Sequence, residues 1–180
     1  MKILAIVGLP GSGKTTAIES IKDLGIVVTM GDIIRDEAKR RNIEPSGVNL
    51  GKIAQQLRKS EGAGIIAKKC VDLIIKLEDE IIFVDGIRSL TEANIFRKFW
   101  KFPIIAIIVD EKKRLERLFK RSRSDDPKNL EELKERDIRE LKFGLDKVLK
   151  ETDYKIKNNT TVDDLKRKTR DLVLKVLQNY

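Results

Sequence analysis

Residues 8–15 read GLPGSGKT and carry the residue types that bind a chain of phosphates. The spacing is G-x-x-x-x-G-K-[ST], in which glycines let backbone N–H groups converge on phosphate oxygens where a Cβ would obstruct them. Lys14 would place a positive charge on the β- and γ-phosphates, and the Thr15 hydroxyl would bind Mg²⁺. The pattern therefore predicts a site for ATP and Mg²⁺. The loop residues expected to contact ATP are Gly8, Leu9, Pro10, Gly11, Ser12, Gly13, Lys14, Thr15 and Thr16.

The segments on either side of this loop supply the structural context that the motif requires. Residues 2–7 form a short apolar run typical of a buried parallel strand, and a helix is predicted from about residue 13 to residue 24. The amino terminus of that helix would add free N–H groups and a favourable dipole for the phosphates. A Gly-rich turn with an incidental lysine is the alternative, and the order strand, loop, helix disfavours it.

The rest of the chain predicts a parallel α/β fold in one domain. Apolar runs at residues 26–29, 81–84, 104–109 and 154–157 are typical of strands. Helices are predicted at residues 33–41, 50–59 with Asn49 as the cap, 65–77, 91–100, 111–121, 130–149 and 162–177. This alternation indicates a five-stranded parallel sheet with helices on both faces. Residues 32–78 are too long for a simple crossover, so we expect a helical insert at 31–78 in a core of 1–30 and 79–180.

Composition restricts the class of protein. The chain has 180 residues, enough for one domain with a substantial core, and no apolar stretch of transmembrane length or signal peptide is recognisable. Its single cysteine, Cys70, cannot form an internal disulfide and lies among apolar residues at helical spacing, which indicates a core residue. These features predict a cytoplasmic protein with no membrane partner.

The charge of the chain has two interpretations. Charged residues make up 37% of the chain and the net charge is +9, which would suit a surface that binds nucleic acid or an ion-paired surface of thermophilic type. Lysine and arginine are interleaved with acidic residues, as in residues 110–117, and this pattern favours solvated helix faces. No nucleic-acid motif is present, so we do not expect nucleic acid to be the main partner.

Asp85 follows the predicted strand at 81–84. A carboxylate at the carboxyl end of an apolar strand is where P-loop enzymes make a second contact to Mg²⁺, although Asp85-Gly86 would also suit a simple turn. The nearby Arg88 favours the functional interpretation, because an arginine at this edge of the sheet can bind phosphate.

Taken together, the sheet, the helical insert and the arginine positions resemble the nucleoside-monophosphate kinases, with adenylate kinase the nearest named family. The likeness covers nearly the whole chain and is greatest to archaeal-type adenylate-kinase-related proteins, sometimes described as dephospho-CoA-kinase-like. It implies a P-loop nucleotide-kinase fold with a helical acceptor-binding insert and a short lid loop at residues 121–128.

The resemblance implies an acceptor site. The segment from Gly31 and Asp32 to Arg35 is similar to the family's Thr-Gly-Asp-x-Leu-Arg, and Asp85-Gly86-Ile87-Arg88 is similar to Asp-Gly-Phe-Pro-Arg without the proline. In the family these arginines hold the phosphate of the acceptor, which assigns that role to Arg35 and Arg88. An exposed helix arginine is the alternative for Arg35.

The resemblance also implies a donor site and lid. Arg117 and Arg121 match the family's R-x-x-x-R, whose first arginine covers the donor adenine and whose second meets the transferring phosphoryl group. Arg123 with the two aspartates after it resembles the lid's R-x-D-D. Arg136 or Arg139 completes the lid set, with Arg136 placed on the acceptor side. The catalytic residues implied are Lys14, Asp85, Arg88, Arg121 and Arg123, and Asn158 is added to the ATP-binding set.

The acceptor itself is left open. Where adenylate kinase has a glutamine that reads the acceptor adenine, this chain has Glu92, which can accept a hydrogen bond and cannot donate one. We expect phosphoryl transfer from ATP to a small phosphate-bearing acceptor, with a nucleoside monophosphate favoured. The alternatives are a hydroxyl of dephospho-CoA or another metabolite, with Asp32 or Asp85 as base, and a nucleotide-binding regulator or ATPase without kinase activity. A GTPase is disfavoured because N-K-x-D is absent.

Overall fold

A parallel sheet forms the centre of the protein in this computed structural model, which describes residues 1–121 and 130–180 and, for Leu115, Phe119, Lys120 and Arg121, the backbone alone. Within those residues the sheet has five strands in the order β2-β3-β1-β4-β5, every neighbouring pair being parallel. The strands are β1 (Lys2–Val7), β2 (Ile26–Thr29), β3 (Ile81–Asp85), β4 (Ile104–Ile108) and β5 (Tyr154–Lys157). The predicted five-stranded parallel sheet is confirmed.

Helices cover both faces of this sheet. They are α1 (Lys14–Glu19), α2 (Met30–Arg40), α3 (Gly47–Glu61), α4 (Ile65–Ile74), α5 (Leu90–Arg97), α6 (Glu111–Arg121), α7 (Leu130–Lys142), α8 (Leu145–Lys150) and α9 (Val162–Gln178). Because side chains alternate along a strand, Ile3 and Ala5 face a core built with α2–α5 and α8, while Leu4 and Ile6 face a core built with α1 and α9. The sheet is therefore buried on both sides, as its apolar strands predict.

The pairing of β1 with β3 sets the position of the site. Ile6 is in register with Asp85, so the loop that follows β1 and the residues that follow β3 begin side by side. Ligands of open parallel sheets bind at the carboxyl ends of the strands, where strand order reverses. Here the chain runs from β1 to β2 on one side of β1 and from β3 to β4 on the other side, which creates such a point beside the Gly-rich loop.

The helix termini differ from the sequence-based bounds at several positions. The first helix ends at Glu19, and the second begins at Met30, immediately after β2. The predicted cap Asn49 is wrong: α3 begins at Gly47 because the Ser46 hydroxyl accepts a hydrogen bond from the Asn49 N–H at 3.2 Å. The single helix predicted at 130–149 is divided into α7 and α8 by Gly144, whose φ of 104° lies in the left-handed region.

The predicted lid loop at 121–128 lies almost entirely outside the described residues.

Three helices, α2, α3 and α4, occupy the long segment between β2 and β3. They pack on one another and against the core on one face of the sheet. None of the described helices combines the length and the apolar content needed to cross a bilayer.

Cys70 provides a test of this packing. Its side chain is fully buried in α4, and burial, with the nearby Glu92 charge, raises the pKa of the thiol to about 12. We expect Cys70 in the native protein to resist a thiol reagent such as DTNB at neutral pH and to react completely once the chain is unfolded in guanidinium chloride, because only the exposed thiolate reacts. The Cys70→Ala variant, which has no thiol, gives the baseline. Rapid stoichiometric labelling of the native protein would contradict the position of α4.

Candidate active site

The Gly-rich loop after β1 is closely surrounded by its neighbours. Gly11 has φ 78° and Gly13 has φ 103°, conformations that favour glycine. A Cβ on Gly11 would come within 2.7 Å of the Leu118 side chain, and one on Gly13 within 2.3 Å of the Asn158 amide. The loop can therefore keep its backbone close to both α6 and the turn after β5.

Lys14 lies over this loop. Its Nζ donates hydrogen bonds to the carbonyl oxygens of Gly8 at 2.6 Å and Leu9 at 3.4 Å. Burial lowers the pKa of Lys14, and the negative charge of Asp85 opposes that shift. The ammonium group is thus held at the loop by neutral carbonyls, which a phosphate oxygen can replace with a stronger, charge-assisted bond.

A cavity of about 540 Å³ joins the loop to the carboxyl ends of β2 and β3 and to one side of α6 and α7. Of the residues singled out from the sequence, those lining it are Gly8, Pro10, Gly11, Gly13, Lys14, Thr15, Thr16, Gly31, Arg35, Asp85, Arg88, Arg117, Arg136 and Asn158. Leu9 packs instead against the core, and Ser12 is buried. Arg123 and the side chain of Arg121 lie outside the described residues, so their proposed roles remain predictions.

Asp85 and Thr15 fit a magnesium ion. One Asp85 oxygen, Oδ1, is buried and has no hydrogen-bond partner among the described residues, while Thr15 is exposed to the same cavity. Carboxylate and hydroxyl oxygens are ligands that Mg²⁺ prefers. In the described part of the chain no three His, Cys, Asp or Glu residues cluster as a metal cage. That suits Mg²⁺, which proteins commonly hold through one or two side chains together with phosphates.

Asn158 and Arg117 connect the loop to the far side of the cavity. The Asn158 Nδ2 donates to the Ser12 carbonyl at 2.8 Å, and Arg117 Nη2 donates to the Asn158 carbonyl at 3.2 Å. Arg117 Nη1 is buried without a partner in residues 1–121 and 130–180. These contacts fix the loop and leave part of the Arg117 guanidinium available on the nucleotide side.

Arg88 enters the same cavity from the loop after β3. Its Nε forms an ion pair with Glu140 of α7. Burial opposes the charged form of Arg88, but the neighbouring Glu140 and Glu92 carboxylates outweigh it and raise its pKa. The guanidinium therefore stays charged and is oriented by Glu140.

A smaller adjoining cavity, of about 80 Å³, lies between α2, α3 and α7. Arg35, Arg88, Arg136 and Glu140 line both cavities, while Arg139 lines only the smaller one. Several cationic side chains from separate elements thus converge beside the loop. The residues that line the smaller cavity alone are Ile34, Gly47, Leu50, Gly51, Ala54, Arg139 and Phe143.

Asp32 does not face either cavity. Its carboxylate accepts a hydrogen bond from Arg35 Nη1 at 2.7 Å on the exposed side of α2. Asp32 is therefore not among the residues that line the cavities, and its contact with the acceptor or its use as a base stays a prediction. The i, i+3 spacing of the two residues on one helix explains the pairing.

Glu92 is also placed differently from the expectation that it contacts the acceptor. Its side chain is completely buried, with Oε1 accepting from Arg58 Nη2 at 2.7 Å and Oε2 accepting from the Arg88 N–H at 2.8 Å. A sequence signal for this was available: Ser89-x-x-Glu92 is the pattern of a helix capping box, and Ser89 does cap α5.

Two further contributors were missed by the sequence analysis. Glu140 occurs in a highly charged helix, where nothing distinguishes it from solvated neighbours. Arg114 is only 5% exposed and donates to the Pro10 carbonyl at 3.2 Å and to Asp137 Oδ1 at 2.9 Å. It therefore braces α7 against the phosphate loop. No local sequence pattern marks the Arg88–Glu140 pair or the Arg114–Asp137 pair, because the two members of each pair are far apart in the chain.

Comparison with known proteins places the chain in a family. A family model described as an AAA domain matches residues 7–134. The UPF0200 protein of Methanosarcina mazei is 41% identical over 183 residues, covering 100% of this chain and 96% of the relative. The chain belongs to the UPF0200 family. The UPF0200/UPF0201 protein of Archaeoglobus fulgidus is 44% identical over 99% of this chain. The match covers 57% of that relative's length, so the chain spans little more than half of that protein.

Solved structures share the fold of this UPF0200 chain. A shikimate kinase from Acinetobacter baumannii in complex with shikimate superposes with a TM-score of 0.61 at 13% identity, covering 99% of this chain and 94% of the neighbour. TT1252 from Thermus thermophilus gives a TM-score of 0.59 at 16% identity, with 97% of both chains covered. At such identities the likeness concerns the fold, which is the predicted P-loop kinase fold. The closer relationship to adenylate kinase remains a prediction.

Asp85 allows a test of the metal site. We expect Asp85→Asn to weaken the Mg²⁺-dependent gain in affinity for a non-hydrolysable ATP analogue by about 10-fold, because residues that hold or orient a metal's ligands typically contribute that much. Isothermal titration calorimetry with and without Mg²⁺ measures the gain, and binding without the metal should change little. Asp23→Asn, at an exposed ion pair with Arg170, is the matched control. An undiminished Mg²⁺ effect in Asp85→Asn would contradict the site.

Proposed function

We propose that this protein is an ATP-dependent phosphotransferase acting on a small anionic acceptor, with a nucleoside monophosphate as the favoured acceptor. One observation carries the proposal: the phosphate loop with Lys14 lines the same cavity as Arg35, Arg88 and Arg136. A site for ATP alone has no need of arginines contributed by three other segments. Their convergence supports a second anion held beside the triphosphate.

On the donor side, the chain's own groups bind and orient the phosphates. The loop N–H groups donate hydrogen bonds to the phosphate oxygens, and Lys14 exchanges its bond to the Gly8 carbonyl for a bond to phosphate. Thr15 and Asp85 would hold Mg²⁺, which when bound neutralises charge on the triphosphate. Arg117, on α6, donates to the Asn158 carbonyl and lines the same cavity, and it is assigned to the nucleotide.

On the acceptor side, arginine side chains bind and position an anion. A planar guanidinium offers paired N–H groups that match phosphate or carboxylate oxygens. Arg88 lines the cavity, its Nε is paired with Glu140, and its other side-chain N–H groups have no partner among the described residues. Phosphoryl transfer depends mainly on such positioning and charge neutralisation, so this arrangement suits it without a histidine, which the chain lacks.

A hydroxyl-bearing acceptor that also carries an anionic group is the second candidate. The buried ion pair of Glu92 favours this candidate, because a Glu92 side chain in that position does not contact a nucleobase in the cavity. A hydroxyl nucleophile benefits from a nearby base, and the Asp85 carboxylate lines the cavity. A shikimate kinase among the structural neighbours is consistent with this choice, although the likeness is one of fold.

An acceptor screen tests the proposal. ATP with Mg²⁺ is incubated with nucleoside monophosphates, dephospho-CoA or sugar derivatives, and ADP release is recorded together with the mass of the product. We expect an anionic acceptor to stimulate ADP release and gain one phosphoryl group, and Lys14→Ala to abolish the stimulation. Stimulation by polynucleotide alone, with no phosphorylated small molecule, would contradict the proposal and favour a nucleotide-binding regulator.

Arg88→Ala separates acceptor binding from ATP binding. We expect the acceptor KM to rise by about 10- to 100-fold, the loss typical of hydrogen bonds to a charged group, while the affinity for the ATP analogue stays within about twofold. Steady-state kinetics and calorimetry measure the two quantities. Arg170→Ala, which removes an arginine outside both cavities, is the control. Equal losses for ATP and acceptor would contradict the role given to Arg88.

A further inference from the structure

A buried carboxylate lies behind the acceptor cavity. Glu92, in the first turn of α5, is completely shielded from solvent, yet both of its oxygens accept hydrogen bonds, one from Arg58 and one from the Arg88 N–H. Removing an ionised carboxylate from water costs several kcal/mol unless it is paired and hydrogen-bonded. The pairing is therefore what allows the charge at this position.

Arg58 brings the helical segment between β2 and β3 into this contact. It lies on α3, is 34 residues from Glu92 in the chain, and has a side chain only 11% exposed. Its guanidinium stacks over the Phe143 ring at 4.4 Å from the centroid and also donates to the Ala54 carbonyl at 3.3 Å. Because Phe143 and Ala54 line the smaller cavity, Arg58 fixes two of its walls.

The Arg88 backbone is the other partner. Arg88 stands in the short connection between β3 and α5, which begins at Gly86 with φ 103°. Between this glycine and the cap Ser89, the bond from Arg88 N–H to Glu92 ties the connection to α5. The direction of the Arg88 side chain into the cavity depends on that backbone, and a shift of about 1 Å in a positioning group is enough to weaken catalysis substantially.

Helix capping alone does not account for these contacts. In a capping box the carboxylate three residues into the helix bonds to the N–H of the cap residue itself, here Ser89. Glu92 reaches one residue further, to Arg88, and its second oxygen binds a cation from another element. A cap on the surface would need neither complete burial nor Arg58.

We infer that Glu92 is a positioning residue that holds the Arg88 backbone and connects it, through Arg58, to the α3 wall of the acceptor cavity. The inference rests on the proposed acceptor role of Arg88. If Glu92 orients Arg88, the Glu92 carboxylate does not contact the acceptor. The specificity for the acceptor then depends on the arginines and on the shape of the cavity.

The test uses inorganic phosphate as the probe, added to the whole protein already saturated with a non-hydrolysable ATP analogue and Mg²⁺ so that the loop is filled. The Arg88 Nε–Hε signal in ¹⁵N NMR, assigned from its loss in Arg88→Ala, reports binding. In the wild-type protein we expect this signal to shift on addition of phosphate. In Glu92→Gln we expect phosphate affinity to fall by about 10-fold and the Arg88 backbone N–H to exchange faster with solvent, with affinity for the analogue unchanged.

Two companion variants separate positioning from general destabilisation. Arg58→Lys keeps a cation near Glu92 but loses the planar contact with Phe143, and it should weaken phosphate binding in the same direction. Val173→Ala removes buried atoms from the core on the opposite face of the sheet, and should lower the unfolding temperature while leaving phosphate affinity at the wild-type value.

The outcomes are distinguishable. A wild-type Arg88 signal that ignores phosphate would remove the acceptor role of Arg88, and with it both the proposed function and this inference. A normal wild-type response with unchanged phosphate affinity in Glu92→Gln and Arg58→Lys would overturn the inference alone. The inference would also be overturned if Val173→Ala lost as much phosphate affinity as Glu92→Gln and Arg58→Lys at the same unfolding temperature. The loss of affinity would then follow the stability of the fold and not the position of Arg88.

Discussion

The parallel pairing of β1 with β3 is the constraint on which the rest of the structure depends. It brings the amino end of the phosphate loop, directly after Val7, beside Asp85 at the end of β3. Backbone N–H groups, a lysine and a carboxylate thereby meet at one edge of the sheet, although they are more than seventy residues apart in the chain. Because side chains alternate along each strand, a slip of one residue would move these groups apart and turn every side chain of the strand to the opposite face of the sheet.

Around this edge, ion pairs in the interior hold three arginine side chains in place. Arg88 pairs with Glu140, Arg114 with Asp137, and Arg58 with Glu92, and in each case the pair joins two separate elements. Buried pairs of this kind contribute little net stability, since desolvation offsets most of the attraction, but they fix orientation. Two of these pairs join α7 to α6 and to the connection after β3, and Arg114 also donates to the Pro10 carbonyl of the phosphate loop.

The sequence was most informative where the signal is local. The phosphate loop, the apolar strands and their alternation with helices were all predictable, because each depends on residues within one short window. The break at Gly144 was not, since an isolated glycine is tolerated in a helical pattern. The family resemblance places Glu92 at the acceptor, whereas the Ser89-x-x-Glu92 pattern indicates a helix cap, and the Glu92 side chain is completely buried at that cap. The partners of Arg88 and Arg114 come from distant segments, and no periodicity reveals such contacts. The roles of Arg121 and Arg123 remain predictions.

The central claim is that the loop and the converging arginines form one site for a triphosphate and a second anion. A crystal structure with a non-hydrolysable ATP analogue, Mg²⁺ and excess phosphate tests it most directly. The account predicts the analogue's β- and γ-phosphates in the Gly-rich loop, Lys14 Nζ moved from the Gly8 carbonyl to phosphate, and a separate phosphate on Arg88 in the same cavity. An analogue bound elsewhere, or a filled loop with no anion on the arginines at saturating phosphate, would contradict it.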